Sequence, residues 1–582
     1  MRLALPPRTS RLLGWGCLLV LVAGAAWLVV TAFLAKSRLQ AIAQQLPALR
    51  SAISSGDFDH AREIETQLRH DASTAHSLTS GPAWSIAANL PFAGEPLRTA
   101  RGLATQSDAV ASGVVPSLLD LADTLKGSSL RHGANIDLSV LQEAAPRLAS
   151  AAATASHAAT AIGRGTSAST WLGVADDARD KAVTSLAQLS DELAGASNTV
   201  ATLLPMLGED GARRYFVGFM NEAEARGLGG LPGAFAIVTA DHGTIAFTHF
   251  GSDTELDGQR AAVELGSDFD SRYGPDDPTG AYVNSDISPN FPDAAQIWAG
   301  MWQAKSGQHV DGALAIDPTA LSYLLRVVGP TTLTDGGALN AGNVVALTQQ
   351  KVYAAFSDNA QRKAYLVSVA HAAAGQVIKG GGTPIDLVHA ISRAAGERRL
   401  LAWSSHPDEQ SRIEAAGYGG VLGSADGPYA GFTVVNAAGT KLDYYLARSM
   451  TYRRASCAAD STVIAALTLT NGAPRSGLPE YVTGGGSGNP APGKSPGDNR
   501  VIMSFYATPG ARIAAVRLDD TPVRVAATTE RGLTVISVPV PLPVGEARTL
   551  TVTYADPRGG SATILRQPLV EPMTIDATPA CS

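Results

Sequence analysis

The chain has 582 residues, too many for one hydrophobic core, so two to four folded units are expected. Apolar residues make up 45% and charged residues 17%, with a mean hydropathy of +0.06, which excludes a disordered profile. A net charge of -7 leaves no pervasive basic field to release counterions, so nucleic acid is excluded as a main partner.

The first element is an apolar run, Leu12 to Ala35, that contains no charged residue. At about 1.5 Å per residue it is long enough for a hydrocarbon core of roughly 30 Å. A cleaved signal peptide is the rival, although its apolar core normally runs to about 7–15 residues. Residues 1–36 therefore read as a head and a transmembrane anchor, with membrane contact through 12–35 and Cys17 inside the span. Arg2, Arg8 and Arg11 precede the run while Lys36, Arg38 and Arg50 follow it, so flanking charge is nearly tied. The short head and very large tail favour a cytoplasmic head and an extracytoplasmic body. That makes a single-pass protein of the cell membrane.

Residues 37–208 are rich in Ala, Leu, Ser, Gln and Asp and poor in aromatics. Leu186, Leu189, Leu193, Ala196, Val200 and Leu203 repeat at alternating spacings of three and four, an a/d seam that packs on another helix. Breaks at Gly81–Pro96 and near Ser128 divide the region into about five helices. A helical stalk or bundle is expected, either as a spacer or as a partner-binding surface.

From Arg213 the texture changes. "RYFVGFMN" and "AFAIVTA" are strand-like, and Asp241–Gly243 turns the second into "TIAFTHF". Pro292 suits a first helical turn, followed by Ala294, Ile297, Trp298 and Met301 on one face. "VDGALAI" is a buried strand. Asp317 can cap the next helix, with Pro318 at its first position and Leu321, Leu324, Leu325 and Val328 as its stripe. Further helices around 343–356, 359–378 and 384–395, and the strands "LLAWS" and "FTVVN", complete a layered α/β domain over residues 209–450. Beyond it, strand-like runs separated by Gly, Pro and Asp make residues 451–582 a β-sandwich, with "KLDYYLARSMTYRR" as its entry strand. A long Gly/Pro loop spans 472–499 within it. The fold class is multidomain α+β.

Several motifs are tested by their context. Gly488–Ser495 ("GNPAPGKS") matches the P-loop pattern, but "GGGS" precedes it and Pro496 follows, so the strand and helix that would hold phosphate are missing. "GKSPG" fails as a nucleophile elbow for the same reason. Asp253, Glu255, Asp257, Gly258 and Glu264 stand at calcium-loop positions, making Asp253, Asp257 and Glu264 candidate metal ligands, with a solvated acidic loop as the alternative. His249 and His309 are lone histidines, more often surface or core residues than catalysts. Cys457 and Cys581 bracket the last part of the chain, and an extracytoplasmic location permits a disulfide between them.

The most unusual stretch is Asn221–Val238, "NEAEARGLGGLPGAFAIV", with four glycines within seven residues. Pro232 breaks the GxGxxG pattern and a strand follows where a helix is required. The glycines then serve a tight strand-to-strand crossover. In a functional reading, Asn221, Glu224 and Arg226 project at the end of a buried strand, where ligands commonly bind, and Arg226 is suited to a phosphate or carboxylate.

"RRYFVGFMNEAEARGLGGLPGAFAIVTADHGTI", "VDGALAIDPTALSYLLRVVGP", "TKLDYYLARSMTY" and "LTLTNGAP" together resemble a family of bacterial membrane-anchored envelope proteins, domain of unknown function 4012, from about Gly81 to the C-terminus. The order of strand, Arg-containing loop, hairpin and "QRKAYLVSVA" helix is also partly similar to LytR-CpsA-Psr proteins. That second resemblance implies transfer of lipid-linked glycopolymers to the cell wall. Arg226 and Arg362 would then hold pyrophosphate, and Asn221, Glu224 or Asp286 a divalent cation, magnesium or calcium. "GSD" stands where those proteins carry Pro-Arg-Asp.

Two functions are therefore expected to compete. One is cell-surface polysaccharide or glycopolymer assembly or attachment, through an α/β domain that binds anionic lipid, lipid-linked glycan or cell-wall polymer; any catalysis would be that of a degenerate glycopolymer phosphotransferase. The other is a non-enzymatic scaffold that binds envelope proteins through stalk and sandwich. Convergence of Arg226, Arg362 and two carboxylates in one open pocket would favour the first.

Overall fold

The computed structural model describes residues 7–54, 57–91, 94–127, 131–164, 173–423, 427–484, 495–578 and 581. The helix break near Ser128, the side chain of Cys17 and most of the P-loop-like and elbow-like stretch lie outside what is described. Two compact units form, one from Met1–Leu130 and Asp137–Leu204, the other from Arg131–Ile136 and Pro205–Ser582.

The first unit is helical. α1 (Pro7–Ser54) is one unbroken helix of 48 residues, so the apolar run continues directly into the first stalk helix. By length and composition it is able to cross a membrane. α2 (Phe58–Thr79) starts on Asp57, whose carboxylate accepts from the His60 amide, and buries Phe58, Ala61, Ile64, Leu68, Ala72 and Ala75 at helical spacing. Its Asp71 accepts from Arg38 at 2.7 Å and from Gln45 at 3.1 Å on α1. A short helix, α3 (Pro82–Ala88), leads into α4 (Glu95–Gly127), followed by α5 (Leu138–Arg164) and α6 (Gly173–Met206). The last three share a core of Val114, Leu121, Ala144, Leu148 and Leu193.

The expected seam on α6 is only partly the buried one. Leu193 is buried, but Ala196 and Leu203 are exposed, and the inward row passes through Thr202 and Leu204. A straight helix of 3.6 residues per turn drifts away from a strict heptad, and the covered stripe moves with it. Ser197 donates to the Ala145 carbonyl on α5 at 2.9 Å, which fills an a/d-like position with a polar contact.

The second unit is built on a mixed seven-stranded sheet. Its order is β1 (Arg131–His132), β2 (Asn135–Ile136), β5 (Thr244–Ser252), β4 (Gly229–Asp241), β3 (Arg213–Arg226), β6 (Gly312–Ile316) and the strand Leu400–Ser404. β3, β4 and β5 are an antiparallel meander, and β6 runs parallel to β3. Both faces are covered, so β3 is apolar at successive positions. Phe216 and Met220 face a cluster with Phe235, Trp298 and Met301, while Tyr215 and Val217 face one with Ala236, Leu321, Leu325 and Val369. Gly218 is required here: a Cβ would lie 2.7 Å from the Trp298 indole. α7 (Ser267–Tyr273) and α8 (Phe291–Ser306) lie on the Trp298 side, and α9 (Pro318–Val328) on the other. Asp317 does cap α9, its Oδ1 accepting from the Ala320 amide at 2.6 Å.

The rest is a pair of facing sheets. One has five strands, ordered Thr528–Glu530, Leu533–Leu542, Asn499–Ala507, Tyr429–Asn436 and Thr563–Arg566. The other has six, ordered Thr521–Pro522, Arg512–Leu518, Ala547–Asp556, Ser461–Asn471, Leu446–Arg454 and Thr574–Thr578. Phe432, Val434, Met503 and Phe505 from the first pack on Met450, Val463, Leu467 and Val552 from the second. Two sequence assignments are corrected. "FTVVN" is a strand of the five-stranded sheet and not of the α/β layer; being buried on both faces, it carries the continuous apolar run of an α/β core strand. "KLDYY" is not strand, because Leu442–Tyr445 forms a 3-10 turn before the strand begins at Leu446.

Cys457 and Cys581 are bonded, with Cα atoms 5.7 Å apart and a sequence separation of 124. The crosslink holds the C-terminal strand, which pairs in parallel with Leu446–Arg454, to the body of its sheet. Replacing both cysteines by serine is expected to lower the unfolding free energy by about 2–5 kcal/mol, read as a shifted urea midpoint.

Candidate functional site

The end of β3 departs from regular pairing. Asn221 is opposite Leu231 and Ala225 is opposite Gly230, so Glu222, Ala223 and Glu224 bulge out of the ladder. Side chains from elsewhere meet amides here: Gln349 Oε1 accepts from Ala223 N within the bulge at 2.7 Å, and Asp443 Oδ2 accepts from Ala225 N at its end at 2.8 Å. Gln349 sits in a π-helical turn, Leu347–Lys351, which aims it at the bulge. The glycines make this packing possible. A Cβ on Gly230 would stand 2.3 Å from the backbone of Asn221 and Glu222, and one on Gly227 would stand 2.1 Å from the Ile287 carbonyl. They admit backbone, not phosphate.

Every candidate anion ligand on this hairpin is already paired. Glu224 accepts from Arg226 Nη2 at 2.9 Å through one oxygen and from Lys441 Nζ through the other. Arg226 spends its remaining donors on the Val283 and Ala225 carbonyls and on Asn284 Oδ1. Its side chain is 9% exposed and that of Glu224 8%. Burial alone would raise the Glu224 carboxyl, but Lys441 and Arg226 outweigh it and hold the group below the usual range. Alongside, Glu222 accepts from Arg399 Nη1 at 2.6 Å, and the same nitrogen reaches Asp317 Oδ2 at 2.8 Å. Burial and the neighbouring Asp317 push the Glu222 carboxyl well above the ordinary value.

The remaining predicted residues are close by but equally closed. Arg362 is fully buried, donates to Phe356 O and Asn359 Oδ1, and lies 3.7 Å from the centroid of the Tyr481 ring. That ring is 5.7 Å from Lys441 Nζ, so Arg362 and Arg226 belong to one chain of contacts. Asn221 donates to Tyr353 OH at 2.5 Å. Asp286 is 0% exposed, with no hydrogen-bond partner for either carboxylate oxygen, and burial raises it well above the usual carboxylate value. In place of the expected open pocket, Arg226, Arg362 and Glu224 are buried and paired internally, and Asp286 is buried without a hydrogen-bond partner.

The calcium-loop reading is also corrected. Asp253 is paired with Lys363 at 2.9 Å and Glu255 with His249 at 2.9 Å, while Asp257 and Glu264 are exposed. Among the described residues no three His, Cys, Asp or Glu side chains gather to hold a metal. The segment 253–256 is a 3-10 turn, and its acids meet Lys363 and His249 from neighbouring elements.

A different pair of cations faces open space. A cleft of about 420 Å³ is lined by Arg398, Val421, Tyr429, Ile564 and Arg566, among others. Arg398 has left-handed backbone (φ 58°) and donates Nη2 to the Pro289 and Gly420 carbonyls, with no carboxylate partner. Burial lowers it from the usual guanidinium value and pushes the Tyr429 phenol up to about 12. Arg566 is exposed and has no partner among the described residues. "GERRL" and "TILRQ" carry no spacing that marks either arginine in the sequence. Arg399, Lys441 and Asp443, which close the hairpin core, are equally silent there.

These features define a mixed-sheet unit joined to a β-sandwich, with an N-terminal helix long enough for a membrane. Residues 210–353 match the family model described as "Protein of unknown function (DUF4012)", so the likeness to that family covers this region of the chain. No curated protein matches it. Among solved structures, an M1 zinc metallopeptidase from Deinococcus radiodurans is similar over 23% of this chain and 21% of its own, at 16% identity and a TM-score of 0.11. A likeness that small carries no argument about fold or chemistry, and the chain spans about a fifth of that protein's length.

Arg226→Ala is expected to cost about 3–5 kcal/mol of stability, because it strips a buried carboxylate of one of its two cations. A ligand-binding arginine in an open site would leave the urea midpoint nearly unchanged. Asp286→Asn is expected to stabilise the protein at pH 7 by about 1–3 kcal/mol, because it removes a charge that burial disfavours. Asp286 has a raised folded pKa, so its contribution is fully present below the unfolded value of 3.8 and is lost as pH rises. The advantage of the variant should therefore shrink to nothing in unfolding curves taken towards pH 4.

Proposed function

We propose that this chain is a membrane-anchored protein of the cell envelope that binds an anionic glycopolymer or lipid-linked glycan during surface polysaccharide assembly, and does not itself transfer it. The observation that carries this reading is the contrast between two sets of arginines. Arg226 and Arg362 are consumed by internal partners, which removes the groups a LytR-CpsA-Psr-like transferase would use on pyrophosphate. Arg398 and Arg566 line a cleft and, among the described residues, pair with no carboxylate. Guanidinium groups so placed suit carboxylate or phosphate oxygens, and Tyr429 with Ile564 and Val421 offers an aromatic and apolar wall for a sugar face. α1 would tether the body, with the bulk of the chain on the outer side.

The competing scaffold reading needs no cleft and is separated by binding. In full-length protein purified in detergent, polygalacturonate is the anionic polymer probe. Arg566→Ala is expected to weaken its retention about tenfold, the equivalent of one charge-assisted hydrogen bond. Equal retention by variant and wild type removes the cleft from the proposal and leaves the scaffold.

A further inference from the structure

The turn that joins α2 to α4 has the composition of a buried segment but an exposed tip. Residues Gly81–Gly94 read "GPAWSIAANLPFAG" and contain no charge. A turn at the end of a helical bundle in water ordinarily carries polar residues. Here α3 covers Trp84, Ala87 and Ala88 yet leaves Ile86 70% and Leu90 50% exposed. The polar side chains of the turn have partners within it or behind it: the exposed Asn89 donates to the Ser85 carbonyl, and the half-buried Ser85 Oγ accepts from Arg101.

The position of this turn along α1 gives it meaning. Trp84 Nε1 donates to Thr31 Oγ1 at 2.9 Å, and Thr31 in turn donates to the Trp27 carbonyl. Thr31 lies inside the uncharged run that ends at Ala35, not on the charged stalk that follows. Thr31 and Ala35 are the covered positions of α1 at this level, while Trp27, Val30, Phe33 and Leu34 around them are exposed. The Asp71 contacts to Arg38 and Gln45 fix the same alignment one step further out: α2 descends along α1 until its end meets the apolar run. Behind the tip, Arg98 donates to the Ala88 carbonyl and Arg101 to Ser85, so two cations stand at the base of an apolar loop. Apolar tip, then arginines, is the order in which a segment meets lipid tails and headgroup phosphates.

We propose that the α2–α4 turn is a second membrane contact, with Ile86 and Leu90 entering the headgroup–acyl boundary beside α1. The occupant of this apolar surface is the lipid bilayer itself. The proposal rests on the reading that α1 crosses the membrane. Its consequence is that the first unit is held at a fixed angle to the bilayer by two contacts, not tethered by one helix free to swivel.

The test uses the full chain with Cys17→Ser in phosphatidylcholine–phosphatidylglycerol vesicles, carrying one added cysteine at Ile86, Leu90, Phe33 or Leu46 and labelled with a polarity-sensitive dye. All four positions are exposed, and far-UV circular dichroism checks that each variant folds. Leu46 lies on α1 about 16 Å beyond Ala35 and serves as the aqueous reference. With lipids bearing a nitroxide near the headgroup, dyes at Phe33, Ile86 and Leu90 are expected to lose most of their emission while Leu46 keeps its own. Quenching at Phe33 with none at Ile86 and Leu90 overturns the proposal and leaves the anchor standing. No quenching at Phe33 overturns the anchor reading, and the proposal with it.

Discussion

Glu224 is clamped between Arg226 and Lys441, and most of the second unit is organised around that arrangement. To place a carboxylate there, β3 must bulge for three residues, Glu222 to Glu224, and leave the ladder. Gln349, from a π-helical turn of the α/β layer, accepts from the Ala223 amide within the bulge, and Asp443, from the entry to the sandwich, accepts from the Ala225 amide at its end. Ala225, the next residue, is then buried in the sandwich core with Phe432 and Met503. The hairpin is thus a pin driven from one layer into the other. Buried ion pairs of this kind return little net stability, because desolvation cancels most of the Coulomb gain. What they impose is register: any shift of β3 would leave a charge unpaired in a low-dielectric core.

The second triad, Glu222, Arg399 and Asp317, repeats the logic on the other side of the bulge. Arg399 also donates to the Leu569 carbonyl, so it too joins the sheet unit to the C-terminal part of the chain. Two carboxylates share one guanidinium there, and burial first, then the neighbouring Asp317, raises the Glu222 pKa against the pull of Arg399. Successive β3 residues therefore hold acids in opposite protonation tendencies. Such divergence is common in catalytic sites, but here both carboxylates are buried and ion-paired, and its direct consequence is structural.

Local signals in the sequence were legible and non-local ones were not. Asp317–Pro318 announces the start of α9 because a cap and a fixed φ act within one turn of helix. Asp241–Gly243 announces the β4–β5 hairpin, and His242 and Gly243 indeed take positive φ. The polar cluster Asn221–Arg226 could be recognised as special, but not as closed, because Lys441, Asp443 and Gln349 lie more than a hundred residues away and sit in unremarkable contexts. The same limit explains the calcium-loop reading, since Lys363 neutralises Asp253 from a distant helix. The placement of "FTVVN" failed for a different reason: a strand buried on both faces has no alternation from which to read its sheet.

The contrast between hairpin and cleft follows from how proteins treat guanidinium groups. An arginine taken fully out of water needs most of its donors met, and Arg226 meets this condition with two carbonyls, an amide oxygen and a carboxylate. Arg398 meets it only on one nitrogen, at the cost of a left-handed backbone. A strained, partly satisfied cation in the same cleft as an unpaired one is an arrangement that folding alone does not reward, since an apolar residue in place of Arg398 would carry less desolvation cost and the exposed Arg566 makes no contact that the fold needs. An external oxyanion would satisfy both at once. For that reason the proposed ligand site rests on this pair, and not on the conspicuous arginine of the glycine-rich hairpin, whose donors are already met inside the fold.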